Sequence, residues 1–175
     1  PARDARLLLA HAASVDASRV TLIAPEEIAP EIAERYENLI ALRAVRVPVS
    51  HLVGQRAFYG RDFKVSRDVL DPRLQASANA VLHGVHARAD IRQSDWFEAA
   101  NGRFDLIVAN PPYLAKSEMA AVSPELRLHE PEMALTDGLD GLSAYRVIAS
   151  QAQGYLTATG RVLAEIGWQQ GPDVA

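Results

Sequence analysis

The sequence predicts an α/β chain in which a mostly parallel sheet with flanking helices follows a small helical domain and a β-hairpin. The run Leu106–Ala109 is short, apolar and rich in β-branched residues, which is typical of a strand buried in a parallel sheet. Apolar residues recur at helical spacing over 28–40, and two short runs flank Gly60-Arg61-Asp62 as in a hairpin. The predicted divisions are a helical domain at 1–47, a linker and hairpin at 48–73, and a sheet-containing domain at 74–175.

The element boundaries follow from residues that start or end helices. Pro25, followed by two glutamates, favours a helix start, because proline suits the first turn and acids suit its positive end. Ser18 is expected to cap a short turn. Two further helices are predicted over Leu74–Gly84 and Leu142–Ala152. Two further strands are predicted near Ala87–Ile91 and over Arg161–Ile166.

Composition narrows the function classes. The 175 residues are 49% hydrophobic and contain no cysteine, so the sequence has no disulfide framework and no thiolate metal site. The five histidines are scattered, and we expect no metal site. A net charge of −4 and a pI of about 5.7 give no basic footprint for nucleic acid. No apolar run is long enough to span a membrane and no signal peptide is visible, so we expect a cytoplasmic protein without a membrane partner.

The stretch with the clearest chemistry is Asn110-Pro111-Pro112-Tyr113. It follows the predicted buried strand directly, and two consecutive prolines cannot continue a strand ladder. Asn110 is pushed to an extended conformation by the proline after it. An amide, two rigid carbonyls and an aromatic ring therefore follow the carboxyl end of a strand, which is where open α/β sheets bind ligands.

This loop suits a planar NH₂ group on an sp² carbon. Pro111 and Pro112 offer only backbone acceptors, since proline has no N–H, and the Asn110 amide adds an oxygen and a nitrogen. Tyr113 can cover the flat face. Such nitrogens are poor nucleophiles because their lone pair is delocalised. Holding both N–H bonds aims the lone pair at an electrophile, which is catalysis by positioning. A strand that ends in a proline turn with no catalytic role is the alternative.

The loop resembles the Asn-Pro-Pro-Tyr signature of methyltransferases that use S-adenosylmethionine and methylate glutamine or adenine amino groups. Over nearly the whole chain, the order of motifs is similar to that of the release-factor glutamine methyltransferase family. The matching stretches are Asp4 to His11, Pro48 to Val65, Val69 to Arg73, Ser94 to Phe97, Asn110 to Tyr113, His129-Glu130-Pro131 with Ala134-Leu135, Asp140-Gly141-Leu142, and Glu165-Ile166-Gly167 with Gln170-Gly171.

The resemblance implies a fold and an activity. Family members have a helical amino-terminal domain, a hairpin and a Rossmann-like methyltransferase domain. They transfer a methyl group from S-adenosylmethionine to the side-chain nitrogen of the glutamine in the Gly-Gly-Gln tripeptide of peptide-chain release factors. The expected cofactor is therefore S-adenosylmethionine, and the expected partner is a release factor rather than a nucleic acid.

The resemblance also implies roles for individual residues. Asn110, Pro111 and Tyr113 are the expected catalytic residues, and the whole loop Asn110–Tyr113 is expected to bind the substrate. Asp95, Trp96 and Asn110 are expected to contact the cofactor. For Trp96 a position in the core is an open alternative.

The chain departs from the family pattern after Arg73. Family members have a Pro-Glu-Thr-Glu-like stretch there, then a strand, a glycine-rich loop and an acidic residue for the cofactor ribose. None of these is in the sequence, so we predict that a cofactor segment is missing between Arg73 and Leu74. The sequence either carries a true deletion or leaves out residues of the natural chain, and we favour the second. An adenine-N6 methyltransferase of DNA or RNA and a non-catalytic remnant are the alternative functions.

Overall fold

The computed structural model describes residues 2–23, 28–65 and 72–175, which belong to two compact units at residues 1–91 and 92–175. The helices of the first unit are α1 (Ala2–Ala13), α2 (Val20–Ile23), α3 (Pro30–Ala44), α4 (Val49–Val53) and α5 (Pro72–Leu82). Its strands are β1 (Gln55–Phe58) and β2 (Arg61–Lys64). The second unit contains β3 (Phe104–Ala109), α6 (Pro124–His129), α7 (Ser143–Gln151), β4 (Leu156–Ala164) and α8 (Gly171–Val174).

The core of the first unit lies around α1. Leu8 and Val47 are fully buried, and α1 packs on α3 and α4. Arg43 of α3 donates from Nε to Asp4 Oδ2 of α1 at 2.8 Å. Both side chains of this ion pair are partly exposed, so it fixes the helix register more than it adds stability. Sequence periodicity thus predicts the helices of this module correctly, but the stretch predicted as a linker after residue 47 contains helix α4.

One predicted helix cap is corrected, and one predicted helix start lies outside the described residues. Pro30 is the first residue of α3, because a proline at N1 loses no helical hydrogen bond. Pro25 lies outside the described residues. Asp16 caps the short turn Ala17–Arg19 by accepting from the Ser18 backbone N–H at 2.8 Å, so Ser18 is the capped residue and not the cap.

The hairpin is confirmed, with a tighter turn than the sequence suggests. Phe58 pairs with Arg61, so the turn consists of Tyr59 and Gly60 alone, both with positive φ (48° and 70°). Positive φ at both central positions matches the twist of the flanking strands, which is why Arg61 and Asp62 lie in β2. Helix α5 packs beside this hairpin.

Polar side chains attach α5 to β2. Asn79 accepts from the Lys64 backbone N–H at 2.8 Å and donates to its carbonyl at 3.0 Å, while Gln75 donates to the same carbonyl at 2.7 Å.

The chain runs through Arg73 and Leu74 inside α5 without a break. The missing cofactor segment at that point and the domain division at 47 and 73 stay predictions.

The strand predicted near Ala87–Ile91 is not found. A 3₁₀ turn occupies His86–Arg88, and the Val85 backbone N–H bonds back to Ala80 at 2.8 Å. Alanine and aspartate are poor strand formers, so a strand there depends on a neighbouring strand to pair with. The pattern therefore overpredicts sheet in this part of the chain.

The second unit has a parallel sheet of two strands among the described residues, β3 beside β4. Strand β4 begins five residues before the predicted Arg161. Helix α7 lies over one face, where Tyr145 and Ile148 are buried. Val108 and its neighbour Leu163 lie on the other face and are 70% and 57% exposed. Parallel sheets are normally covered on both faces, so this sheet is incomplete for a Rossmann-like domain.

Among residues 2–23, 28–65 and 72–175, no helix is both long and apolar enough to cross a membrane.

Candidate functional site

The loop Asn110–Tyr113 begins where β3 ends. The backbone N–H of Glu165, just after β4, donates to the Ala109 carbonyl at 2.9 Å, so the two parallel strands end side by side. Pro111 is buried, whereas Asn110 is exposed at the edge of the sheet. The predicted position at the carboxyl end of a parallel strand is therefore confirmed. The strand itself is not buried as predicted, because Leu106 and Val108 of β3 are exposed where no element among the described residues covers that face.

Asn110 is less restrained than the sequence suggests. Within the described part of the chain its side-chain amide has no hydrogen bond, so the structure does not hold it in one direction. The amide is instead available to an incoming group. Any directional contact that it makes to a substrate forms on binding.

Tyr113 is fixed through its hydroxyl. This hydroxyl donates to Glu165 Oε1 at 3.0 Å. The hydrogen bond to Glu165, together with burial, raises the pKa of Tyr113 above its ordinary value. Tyr145 reaches the same strand end from α7 and donates to the Glu165 carbonyl at 2.9 Å. The Tyr113 hydroxyl therefore stays protonated, and its hydrogen bond holds the ring at the end of the loop.

Tyr113 is also fixed through its backbone carbonyl. Gln170 Nε2 donates to that oxygen at 2.8 Å. Gly141, with a φ of 77°, lies so close that a Cβ at this position would overlap the Tyr113 carbonyl oxygen. The end of the loop is therefore confined by two segments that are distant in sequence.

Asp137 organises the segment that brings Gly141 to the loop. Its carboxylate accepts the backbone N–H groups of Leu139 at 2.8 Å, Gly141 at 3.0 Å and Ser143 at 3.0 Å. Burial raises the pKa of this carboxyl, but the hydrogen bonds from Ser143, Leu139 and Gly141 outweigh it and hold the pKa of Asp137 well below its usual range. The segment therefore depends on an ionised aspartate.

Asp95 and Trp96 lie in a turn before β3. Ser94 Oγ accepts from the Ala99 N–H at 2.9 Å and donates to the Trp96 carbonyl at 3.0 Å. Trp96 has a φ of 50°, an unusual conformation for a bulky residue, and is 43% exposed. Trp96 is therefore not buried by the described residues of this unit.

The structure brings only part of the predicted site together. Residues Asn110–Tyr113 form one loop, but among the described residues no hydrogen bond or ring contact joins Asp95 or Trp96 to it. Glu165 and Gln170 touch Tyr113 and were not predicted as site residues. Glu165 follows β4 as Asn110 follows β3, and the carboxyl ends of parallel strands meet at one edge. The predicted strand runs to Ile166 and therefore places Glu165 inside it.

No group of three or more His, Asp and Glu in the described ranges could hold a metal ion.

Comparison with known proteins gives matches over the whole chain. The family model described as the PrmC N-terminal domain matches residues 1–54. A release factor glutamine methyltransferase of Cereibacter sphaeroides is 42% identical over 225 aligned positions, which cover 99% of this chain and 81% of the relative. One from Rhodospirillum rubrum is 31% identical over 229 positions, covering 100% and 70%. One from Agrobacterium fabrum is 30% identical over 234 positions, covering 100% and 81%.

The alignment lengths carry a second finding. The Cereibacter sphaeroides alignment has 225 positions, and this chain has 175 residues, so about 50 positions of the relative have no counterpart here. The identity and the coverage of both proteins are nevertheless high enough to assign the family. The chain belongs to the release factor glutamine methyltransferase family.

Proposed function

We propose that this protein transfers a methyl group from S-adenosylmethionine to the side-chain amide nitrogen of the glutamine in the Gly-Gly-Gln motif of peptide-chain release factors. The observation that carries the proposal is the 42% identity to a release factor glutamine methyltransferase over 99% of the chain, with Asn110–Tyr113 at the end of a parallel strand. An adenine-N6 methyltransferase is not favoured by these relatives.

The Asn110–Tyr113 loop would bind the acceptor amide. The carbonyl groups near Pro111 and Pro112 accept, and the exposed Asn110 side chain supplies a further acceptor and donor. Glu165 and Gln170 hold Tyr113, whose ring would cover the flat face of the amide. These contacts would direct the nitrogen lone pair at the methyl group. After the transfer, the sulfonium of the cofactor would be left as a neutral thioether, and the positively charged methylated amide would release one of its two nitrogen-bound protons to solvent.

The residues present fit one end of the cofactor. An exposed indole ring on Trp96, next to the Asp95 carboxylate, offers a stacking surface and a hydrogen-bond acceptor, which suit an adenine ring with its amino group. Bound S-adenosylmethionine would supply an electrophilic methyl group. The glycine-rich loop that holds the rest of the cofactor in the family is not in this sequence, and the open face of β3 and β4 supports its belonging to this unit.

The helical residues 1–47 would dock the release factor. The first unit contains a cleft of about 730 Å³ whose lining includes three arginines and two aspartates, namely Arg3, Arg35, Arg56, Asp16 and Asp62. None of the three arginines has a hydrogen bond or ion pair within the described ranges, so their charges are available to a partner. Catalytic candidates, in contrast, lie after residue 91.

The test is to identify the methylated product. Full-length protein would be incubated with S-adenosylmethionine and a purified release factor, and separately with DNA and RNA. Peptide mass spectrometry should find one added methyl group on the glutamine of the Gly-Gly-Gln peptide. Methyl groups on adenine, with none on the release factor, would replace the proposal with the adenine alternative.

A further inference from the structure

We infer that Gln170 is a positioning residue for the Asn110–Tyr113 loop, so that its side-chain amide sets the geometry in which the acceptor nitrogen is presented. The inference rests on the proposed function and adds a residue to it. Gln170 follows the last strand and contacts neither the predicted substrate group nor the predicted cofactor residues. Its effect would therefore be exerted through Tyr113.

The Gln170 amide joins three separate segments. Its Nε2 donates to the Tyr113 carbonyl at 2.8 Å and lies 3.4 Å from the Gly141 carbonyl. Its Oε1 accepts from the Gly167 N–H at 2.9 Å, and the Tyr145 hydroxyl lies 3.4 Å away. Donors and acceptor of one planar amide are thus all used.

The surrounding backbone leaves room for this amide and for little else. A Cβ on Gly141 would lie 3.0 Å from Gln170 Nε2, and a Cβ on Gly167 would lie 2.8 Å from its Oε1. Glycine at both positions therefore leaves the space that the Gln170 side-chain amide occupies. Glutamate lacks the donor, asparagine is one methylene shorter, and lysine or arginine lacks the acceptor.

Fixing the Tyr113 carbonyl restrains the whole loop. Pro111 and Pro112 have fixed φ angles, and β3 holds the residue before Asn110. With Tyr113 held by Gln170, few backbone dihedrals of the loop remain free. Displacing reacting atoms by about 1 Å can cost on the order of 100-fold in rate.

The experiment compares Gln170→Ala and Gln170→Glu with the matched controls Gln169→Ala and Gln169→Glu in the full-length protein. Gln169 is exposed, and its side chain makes no hydrogen bond within the described part of the chain. For Gln170→Ala we expect kcat for release-factor methylation to fall about 10- to 100-fold, with the KM for S-adenosylmethionine nearly unchanged. Both Gln169 variants should match the parent.

The glutamate variant gives a readout that a general loss of folding would not give. A carboxylate at position 170 faces the carbonyl oxygens of Tyr113 and Gly141, whereas a protonated carboxyl donates to one of them. Its activity relative to the parent should therefore rise as the pH falls from 8 to 5. A flat ratio, or a kcat within about twofold of the parent for a folded Gln170→Ala, would overturn the inference.

Hydrogen exchange separates this inference from the proposed function. Gly167 donates its amide to Gln170, and Leu114, next to Tyr113, donates to Leu135. Both amides should exchange faster in Gln170→Ala and not in Gln169→Ala. An inactive parent counts against the proposed function alone, and unchanged exchange at these two amides would then reject the positioning role of Gln170.

Discussion

Tyr113 is held by hydrogen bonds at its hydroxyl and at its backbone carbonyl, and we expect these two hydrogen bonds to differ in their effect on activity. The hydroxyl bond to Glu165 lies toward solvent, so its net contribution is on the order of 1 kcal/mol. We expect Tyr113→Phe to lower kcat about three- to tenfold, because the ring stays but its orientation relaxes. Steady-state methylation of a release factor measures this. Tyr155→Phe is the matched control, since the Tyr155 ring stacks on Phe97 and its hydroxyl has no hydrogen bond in the described ranges. A Tyr113→Phe loss above 100-fold would mean that the hydroxyl has a chemical role.

Asp137 supports the site through stability. In Asp137→Asn, the amide nitrogen replaces an oxygen that accepts from Ser143, so we expect a loss of about 1–2 kcal/mol in the free energy of unfolding at pH 7. The pKa of Asp137 is lowered on folding, so its stabilisation is fully present above the unfolded pKa of about 3.9 and is lost as the pH falls through the folded value. Urea unfolding of parent and variant should therefore differ equally at pH 7 and pH 5, and the difference should begin to shrink only below about pH 4. The control is Asp173→Asn. The Asp173 carboxylate is exposed and accepts no hydrogen bond within the described ranges. A difference that grows on acidification would contradict this account.

At the scale of elements, the arginine-lined cleft of the first unit is the feature with a functional consequence. Replacing Arg35 and Arg56 together with alanine should raise the KM for the release factor about tenfold and leave S-adenosylmethionine binding unchanged, because two charges available to the partner are removed. Initial rates over a range of release-factor concentrations measure this. Arg19→Ala removes an exposed arginine of the same unit outside the cleft, as the control. An unchanged KM in a folded double variant would reject docking at this cleft.

Elements with a strong local signal could be predicted from sequence, and those that depend on neighbours could not. The helical module, the hairpin, α5, α7 and the strand before Asn110 each have periodicity or turn residues that act locally. The strand expected near residue 89 fails because a strand needs a partner, which local sequence does not supply. The loop Asn110–Tyr113 could be proposed as a site from its own residues, whereas the proposed role of Gln170 depends on a contact 57 positions away along the chain.

At the scale of the molecule, the open sheet face and the alignment gap agree with each other. Leu106 and Val108 are apolar and exposed, and relatives have about 50 aligned positions beyond the 175 residues here. We predict that the 175-residue chain binds S-adenosylmethionine about 100-fold more weakly than the full-length natural protein, because several backbone hydrogen bonds of the glycine-rich loop are lost. Isothermal titration of both proteins measures this. Equal affinities would show that the segment lies outside the cofactor site, and no binding by the full-length protein would favour the non-catalytic remnant.

The most direct test of the central claim is methyl transfer to a release factor by the full-length protein and its Asn110→Ala variant. Removing this amide takes away one directional contact to the acceptor nitrogen, so kcat should fall by about 10²–10³ while the variant stays folded by circular dichroism. Asn101→Ala, which changes an exposed asparagine of the same unit, should keep the parental rate. Near-normal turnover by a folded Asn110→Ala variant would contradict the assignment of the Asn110–Tyr113 loop as the site that presents the glutamine.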